Sequence, residues 1–298
     1  MKIPSIKKTF LILIGLGFLL LNVIAYNHAY QFTHFGKNDT QRTSKPENLT
    51  FVDKLGLLFT GVSIPKPSHD SIPTRPFQRV ELQSHELIEG WSIPNPDPKG
   101  IIIMGHGYSS NKSALLGYSD IFQELGYSTF LIDFMGSGGS GGYATTIGYK
   151  EADDIKAAYE YVKTNFPEQK IYLHGPSMAA ASIMRAMQEY QLPVEAVLIE
   201  CPFGTFRKTV QMRFQAMGLP TFFLPDLLML WGGLQTGFNP YKHRPADYAK
   251  SIKVPTLLMY GEADERVTMG ETQAVFDNLN GEKQLVTFPK SGHENYLK

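Results

Sequence analysis

Between Phe77 and Lys298, short apolar or β-branched runs alternate with amphipathic stretches. The runs Gly100 to Met104, Ser128 to Ile132, Lys170 to Leu173, Ala196 to Ile199, Thr256 to Tyr260 and Lys283 to Thr287 are short and rich in apolar or β-branched residues, and read as buried strands. Helical patterns lie between them at Lys112 to Leu125, Tyr149 to Asn165, Ser177 to Tyr190 and Met269 to Leu279. Ahead of these, Phe77 to Trp91 alternates apolar and polar positions around Ser84-His85, which predicts a β-hairpin at a sheet edge. Strand and helix in alternation predict an α/β fold with a mostly parallel central sheet flanked by helices. One interval, about 205–248, is too long for a connection and is rich in Met, Phe, Leu, Trp and Pro, so a helical lid is expected there.

The amino-terminal pattern is of another kind. Lys2, Lys7 and Lys8 precede an uncharged apolar run from about Phe10 to Tyr26, near the lower length limit for a helix that crosses a bilayer. Residues 1–35 are therefore read as a signal anchor or a signal peptide, the latter with Val23 and Ala25 before the cut. The run exceeds the roughly 7–15 residues of a signal-peptide core, and Tyr26, His28 and Tyr30 suit a membrane interface, which favours the anchor. The positive flank then places the folded domain outside the cytoplasm, membrane-anchored, or secreted or periplasmic after cleavage. Residues 36–76 are rich in Pro, Ser, Thr, Asn and Lys and read as a linker with one helical piece near Val52 to Phe59. The domain proper is expected over 77–298.

Composition narrows the partners. Lys plus Arg and Asp plus Glu each number 28, so no net field draws the chain to nucleic acid, and a small molecule is the expected partner. A single cysteine, Cys201, allows no intramolecular disulfide, and the eight histidines lack the spacing of a helical metal pair. No metal or other cofactor is expected.

In a parallel sheet, ligands bind at the carboxyl ends of the strands. The chemically able residues that follow the predicted strands are His106, Asp133, Ser177, Cys201, Asp264 and His293. A serine hydroxyl needs an adjacent base, usually a histidine held in its tautomer by a carboxylate. Lys170 to Leu173 runs through His174-Gly175-Pro176 directly into Ser177 and the helix-favouring Met178-Ala179-Ala180-Ala181, a strand-to-helix elbow with small residues two before and two after the serine. His106 and His174 sit inside or at the ends of strands and are read as packed and hydrogen-bonded, and Glu200 is a reserve carboxylate.

Gly175-Pro176-Ser177-Met178-Ala179 resembles the G-x-S-x-G elbow of the α/β-hydrolase fold family, with Ala179 for the last glycine and an unusual proline before the serine. Ile101 to Met104 followed by Gly105-His106-Gly107-Tyr108 looks like the family's oxyanion segment. Val254-Pro255-Thr256 through Gly261-Glu262-Ala263-Asp264 is similar to its acid loop, Ser291-Gly292-His293 to its histidine loop, and Asp133 to Ser140 to its D-x-R-G-x-G-x-S loop with Met135 in place of arginine. The resemblance, strongest to the serine aminopeptidase and lysophospholipase-like branch, covers about Phe77 to Lys298.

It implies a serine hydrolase with Ser177 as nucleophile, His293 as base, Asp264 as its carboxylate, and the amides of Tyr108 and Met178 as the oxyanion hole. The apolar lid, with Met212, Phe214, Phe222 and Trp231 as expected substrate contacts, favours a hydrophobic acyl ester. A serine peptidase of the same fold, or a membrane-tethered binding protein without catalysis, are the alternatives. Pro176 removes a donor beside the elbow, and the few residues after His293 leave little to buttress its loop.

Overall fold

The computed structural model describes residues 6–37, 40–43, 50–293 and 296; Lys2 of the positive flank and parts of the expected linker lie outside them. Eight strands form one sheet: β1 (Gln78–Gln83), β2 (Leu87–Ile93), β3 (Ile101–Met104), β4 (Ser128–Ile132), β5 (Ile171–Pro176), β6 (Ala196–Glu200), β7 (Thr256–Gly261) and β8 (Lys283–Phe288), in the order β1-β2-β4-β3-β5-β6-β7-β8. β1 and β2 pair antiparallel, as the alternation about Ser84-His85 predicts, and β2 also runs antiparallel to β4. Every other pairing is parallel. Every residue of β3 and β4 is buried, as their apolar runs predict, whereas β8, also read as a buried strand, forms the sheet edge and has no buried residue, because only β7 pairs with it.

Nine α-helices accompany the sheet among the described residues: α1 (Ile6–Thr33), α2 (Phe51–Thr60), α3 (Leu116–Glu124), α4 (Glu151–Asn165), α5 (Met178–Tyr190), α6 (Phe206–Ala216), α7 (Leu224–Thr236), α8 (Pro245–Tyr248) and α9 (Met269–Asn278). α5, buried from Met178 to Met187 except at Arg185, packs with α4 against the sheet centre through Ile155, Ala158, Ala180 and Ile183. α6 and α7 make up most of the expected lid, inserted between β6 and β7. The predicted helix from Lys112 divides into a 3-10 turn (Lys112–Leu115) and α3. Its first turn is pulled tight because the Lys112 backbone N–H and side chain both reach inward to Asp133.

α1 continues past the apolar run. It is long and apolar enough to cross a membrane by length and composition, and its early side chains, such as Phe10 and Phe18, are exposed. Its last three turns belong to the folded body: Ala25, Ala29 and Thr33 are buried. The Trp231 indole on α7 donates to Asn22 Oδ1 at 3.2 Å and meets the Tyr26 ring edge-on at 5.4 Å, while Gln235 donates to the Tyr26 carbonyl at 2.9 Å. At the end of α1 the Thr33 carbonyl accepts from the Thr145 amide, and just beyond it the Phe35 amide donates to the Tyr143 carbonyl. Part of the stretch read as a linker is likewise bound to the body, since Pro67 accepts from the Gly138 amide and His69 bonds Asp133. Composition marks this stretch as irregular, but its backbone groups find partners on the β4–α4 loop.

A buried charge cluster ties that loop down. The Lys112 ammonium, with no exposed side-chain surface, donates to Asp133 and, at 2.7 Å, to Glu89, and lies over the Trp91 ring 4.5 Å from its centroid. Burial alone would raise the Asp133 carboxyl, but His69 and Lys112 outweigh it and hold the pKa at about 2. Because the folded pKa lies below the unfolded value of about 3.9, this contribution is present above that pH and fades as pH falls toward about 2. Lys112→Met, which strands two carboxylates, is expected to lower the unfolding free energy by about 3–5 kcal/mol, measured by urea denaturation at neutral pH.

Candidate active site

Ser177 stands between β5 and α5 with φ 52° and ψ −108°, a left-handed conformation that a serine adopts only where the surroundings impose it. Its amide donates to the Glu200 carbonyl of β6 at 2.8 Å, and its carbonyl accepts from Ala181 as α5 begins. The turn is so tight that a Cβ on Gly175 would lie 2.4 Å from the Ala179 Cβ, which explains why small residues flank the serine. Pro176 costs no ladder bond: pairing with β3 ends at Met104–His174, before the donor it lacks would be used.

The other two residues of the expected triad arrive from the next strands. β7 ends at Gly261 and opens the loop that carries Asp264; a Cβ on Gly261 would fall 2.1 Å from the Gly292 carbonyl, so the glycine lets the histidine loop cross close by. His293 Nδ1 lies 2.8 Å from Asp264 Oδ2, and His293 Nε2 lies 2.8 Å from Ser177 Oγ. The carboxylate fixes the tautomer: Nδ1–H donates to Asp264, leaving Nε2 to accept from the serine hydroxyl. Asp264 Oδ1 accepts from the amides of Arg266 at 2.7 Å and Val267 at 3.0 Å. Burial pushes the Asp264 carboxyl up, but the bond and charge of His293 and these amides together hold it below the usual carboxylate range. Tyr296 buttresses the histidine loop, stacking on Phe288 at 4.7 Å and accepting from the Gly261 amide at 3.1 Å.

Met178 is the first residue of α5, so its N–H has no partner within the helix, and Tyr108 lines the same pocket as Ser177 from the loop after β3. The histidines read as packed are so. His106 is buried and accepts from the Phe134 amide at 3.0 Å, with burial lowering its pKa. His174 is buried against Glu200 at 2.7 Å. Glu200, the reserve carboxylate, is committed to His174 and to the Tyr118 hydroxyl rather than to His293. The buried Cys201 thiol donates to the His293 carbonyl and so supports that loop. Of the side chains that might hold a metal, His69, Glu89 and Asp133 already surround the Lys112 ammonium, and Asp264 and His293 are bonded to each other.

The expected substrate contacts divide. Met212 lines the Ser177 pocket together with Ile147, Phe203, Thr209 and Ala216. Phe214 lines a second, apolar cavity enclosed by α1, α6 and α7. Phe222 is 71% exposed at the turn before α7, packed on Phe223, and Trp231 faces α1; neither reaches the two cavities. Both corrections have one cause: part of the lid's apolar surface packs on α1 or faces outward. Two residues escaped the sequence reading. Arg213 of α6 lines both cavities, its guanidinium carbon 5.4 Å from the ring centroids of both Phe32 and Tyr108, and Phe32 accepts the Tyr108 hydroxyl at 2.8 Å. Only the spacing of Arg213 one residue after Met212 on the lid could have drawn attention to it.

Sheet order, elbow and loop positions coincide with those of one known architecture. The chain has the α/β-hydrolase fold. Residues 96–239 of the hydrolase match the family described as serine aminopeptidase, S33. Among curated proteins it is similar to the uncharacterized protein YqkD of Bacillus subtilis, 24% identical over 209 residues that make up 69% of this chain and 68% of that one. It is also similar to the acylamino-acid-releasing enzyme of Sus scrofa, 22% identical over 77% of this chain, although the match spans only 32% of that enzyme's length. Among solved structures, the Pyrococcus furiosus esterase Pf2001 superposes with a TM-score of 0.62 at 25% identity, covering 78% of this chain and 90% of the esterase. The hydrolase thus has both esterase and acylaminoacyl peptidase relatives.

The close approach at the elbow makes a specific demand. Gly175→Val is expected to lower the unfolding free energy by about 1–3 kcal/mol, seen as a lower urea midpoint with an unchanged slope.

Proposed function

We propose that the hydrolase cleaves acyl esters through an acyl-enzyme formed on Ser177. The observation that carries this reading is the single imidazole, His293, bonded at 2.8 Å to both Ser177 Oγ and Asp264 Oδ2. In the proposed sequence, Ser177 Oγ attacks the ester carbonyl carbon as its proton passes to His293 Nε2, and Asp264 stabilises the imidazolium that results. The amides of Met178 and Tyr108 receive the developing oxyanion. The tetrahedral intermediate collapses, His293 delivers its proton to the departing alcohol, and water attacks the acyl-enzyme by the same relay in reverse.

The pig relative and the matched family favour a second reading, hydrolysis of an amide in a peptide. A peptidase that holds a free amino terminus needs an available carboxylate, and the two foreseen for it are committed elsewhere. Asp226 takes both Arg207 nitrogens at 2.7 Å, and Asp247 pairs with Arg244 and Lys250. Glu265, exposed at the pocket mouth, is the remaining candidate. This balance counts against a peptidase that binds a charged amino terminus and, against that reading, supports the ester. The exposed apolar length of α1 supports a membrane-anchored enzyme whose body lies outside the cytoplasm.

Labelling by a fluorophosphonate probe should occur in the intact protein and vanish in Ser177→Ala; an unlabelled, folded wild-type protein would remove the serine-hydrolase reading. Asp264→Asn should retain labelling at a reduced rate while kcat falls about 10⁴-fold, through loss of the correct histidine tautomer. Turnover of p-nitrophenyl esters above aminoacyl p-nitroanilides decides between esterase and peptidase.

A further inference from the structure

We infer that Arg213 is a specificity residue that binds an anionic group, carboxylate or phosphate, on the ester substrate. The inference rests on the ester-hydrolase reading of Ser177 and names the class of ester.

A guanidinium offers five N–H donors in a planar fork and carries its charge at any physiological pH. That of Arg213 is set between aromatic rings, Phe32 from the end of α1 and Tyr108 from the loop after β3. Ring faces offset part of the cost of removing the charge from water, but they do not accept from the fork's in-plane donors. Among the described residues no carboxylate pairs with Arg213, whereas Arg207, six residues earlier on the same helix, holds Asp226 bidentately. Thus α6 carries one arginine that staples the lid and another that the lid leaves aimed at the cavities.

Position gives the arginine its meaning. Arg213, Thr209 and Ile147 line both the Ser177 pocket and the apolar cavity between α1, α6 and α7. Glu265 and Arg266 of the acid loop line the Ser177 pocket as well, so Arg213 is the cation that the lid adds to the field beside the nucleophile. Arg42 adds to this field, its side chain bonded to Ser109 next to Tyr108. An ester placed with its carbonyl at Ser177 would present a charged end to Arg213 and an apolar chain to the neighbouring cavity. Bidentate recognition by arginine suits carboxylate and phosphate alike.

The test uses three p-nitrophenyl esters of one medium-chain acid whose far end is a methyl ester, a carboxylate or a phosphate. The wild-type enzyme should favour at least one anionic ester over the neutral one by about tenfold or more in kcat/KM, mainly through KM. Whichever anion is favoured identifies the source. Arg213→Gln should reduce that ratio about tenfold, and Arg213→Lys should retain an intermediate ratio because it keeps the charge and loses the fork. Fluorophosphonate labelling of each variant shows that Ser177 remains assembled, and the wild-type preference stands as a measurement even if a variant does not fold. Equal or better turnover of the neutral ester by wild type, or an unaltered ratio in a labelled Arg213→Gln, overturns the assignment. Failure of wild type to hydrolyse any of the three or to take the probe instead overturns the hydrolase reading beneath it.

Discussion

A serine backbone held at φ 52° requires its neighbours to fit around it. Such strain, worth on the order of 1–3 kcal/mol, persists only when surrounding contacts over-determine the conformation. Here the Ser177 amide is held by the Glu200 carbonyl of β6, its carbonyl by the first turn of α5, and the space beneath by Gly175 and Ala179 in contact. Because β5 is central in the sheet and α5 is buried from Met178 to Met187 except at Arg185, the core's packing is also what keeps the hydroxyl aimed outward. The neighbouring His174–Glu200–Tyr118 chain extends this support, satisfying buried polar groups below the elbow at 2.7 and 2.9 Å.

The parts of this arrangement legible from sequence are those governed by local chemistry. Buried parallel strands announce themselves as runs rich in apolar and β-branched residues, as in the Thr129 to Ile132 stretch of β4 that Asp133 closes. Ser177, Asp264 and His293 could be nominated because each follows a strand, and the structure brings the three side chains together. Less legible were choices made by tertiary contact. Lys112 looks like a solvated lysine at a helix start, yet its ammonium is the cation around which Asp133, Glu89 and His69 assemble. Trp231 looks like a lid residue facing substrate, and only the path of α1 shows that it has another partner. The concern over Pro176 dissolved for a geometric reason, since the missing donor falls beyond the last rung shared with β3.

The lid, in turn, derives its order from outside itself. α6 and α7 are joined by the Arg207–Asp226 pair, and α7 is bonded to α1 through Trp231 and Gln235, so the lid has a backstop outside itself. The Ser177 pocket inherits that rigidity through Met212, Thr209 and Arg213, all presented by α6. The apolar cavity beside it exists because three helices of unlike origin meet without filling the space between them.

α1 is therefore both a segment apolar enough to span a membrane and a wall of the folded body. Its first turns expose apolar side chains, while its last turn offers the Phe32 carbonyl to Tyr108 and the Phe32 ring to Arg213. These two ends belong to one continuous rod, about 1.5 Å of rise per residue, with no break between Ile6 and Thr33. A tilt or rotation imposed on the outer end would be carried along that rod to the wall of the apolar cavity beside the Ser177 pocket. For an outer end set in a bilayer, the membrane's thickness and tension would thereby reach the cavity that Phe32 lines, and a substituted apolar segment would leave that cavity unchanged only by preserving helical phase through Thr33.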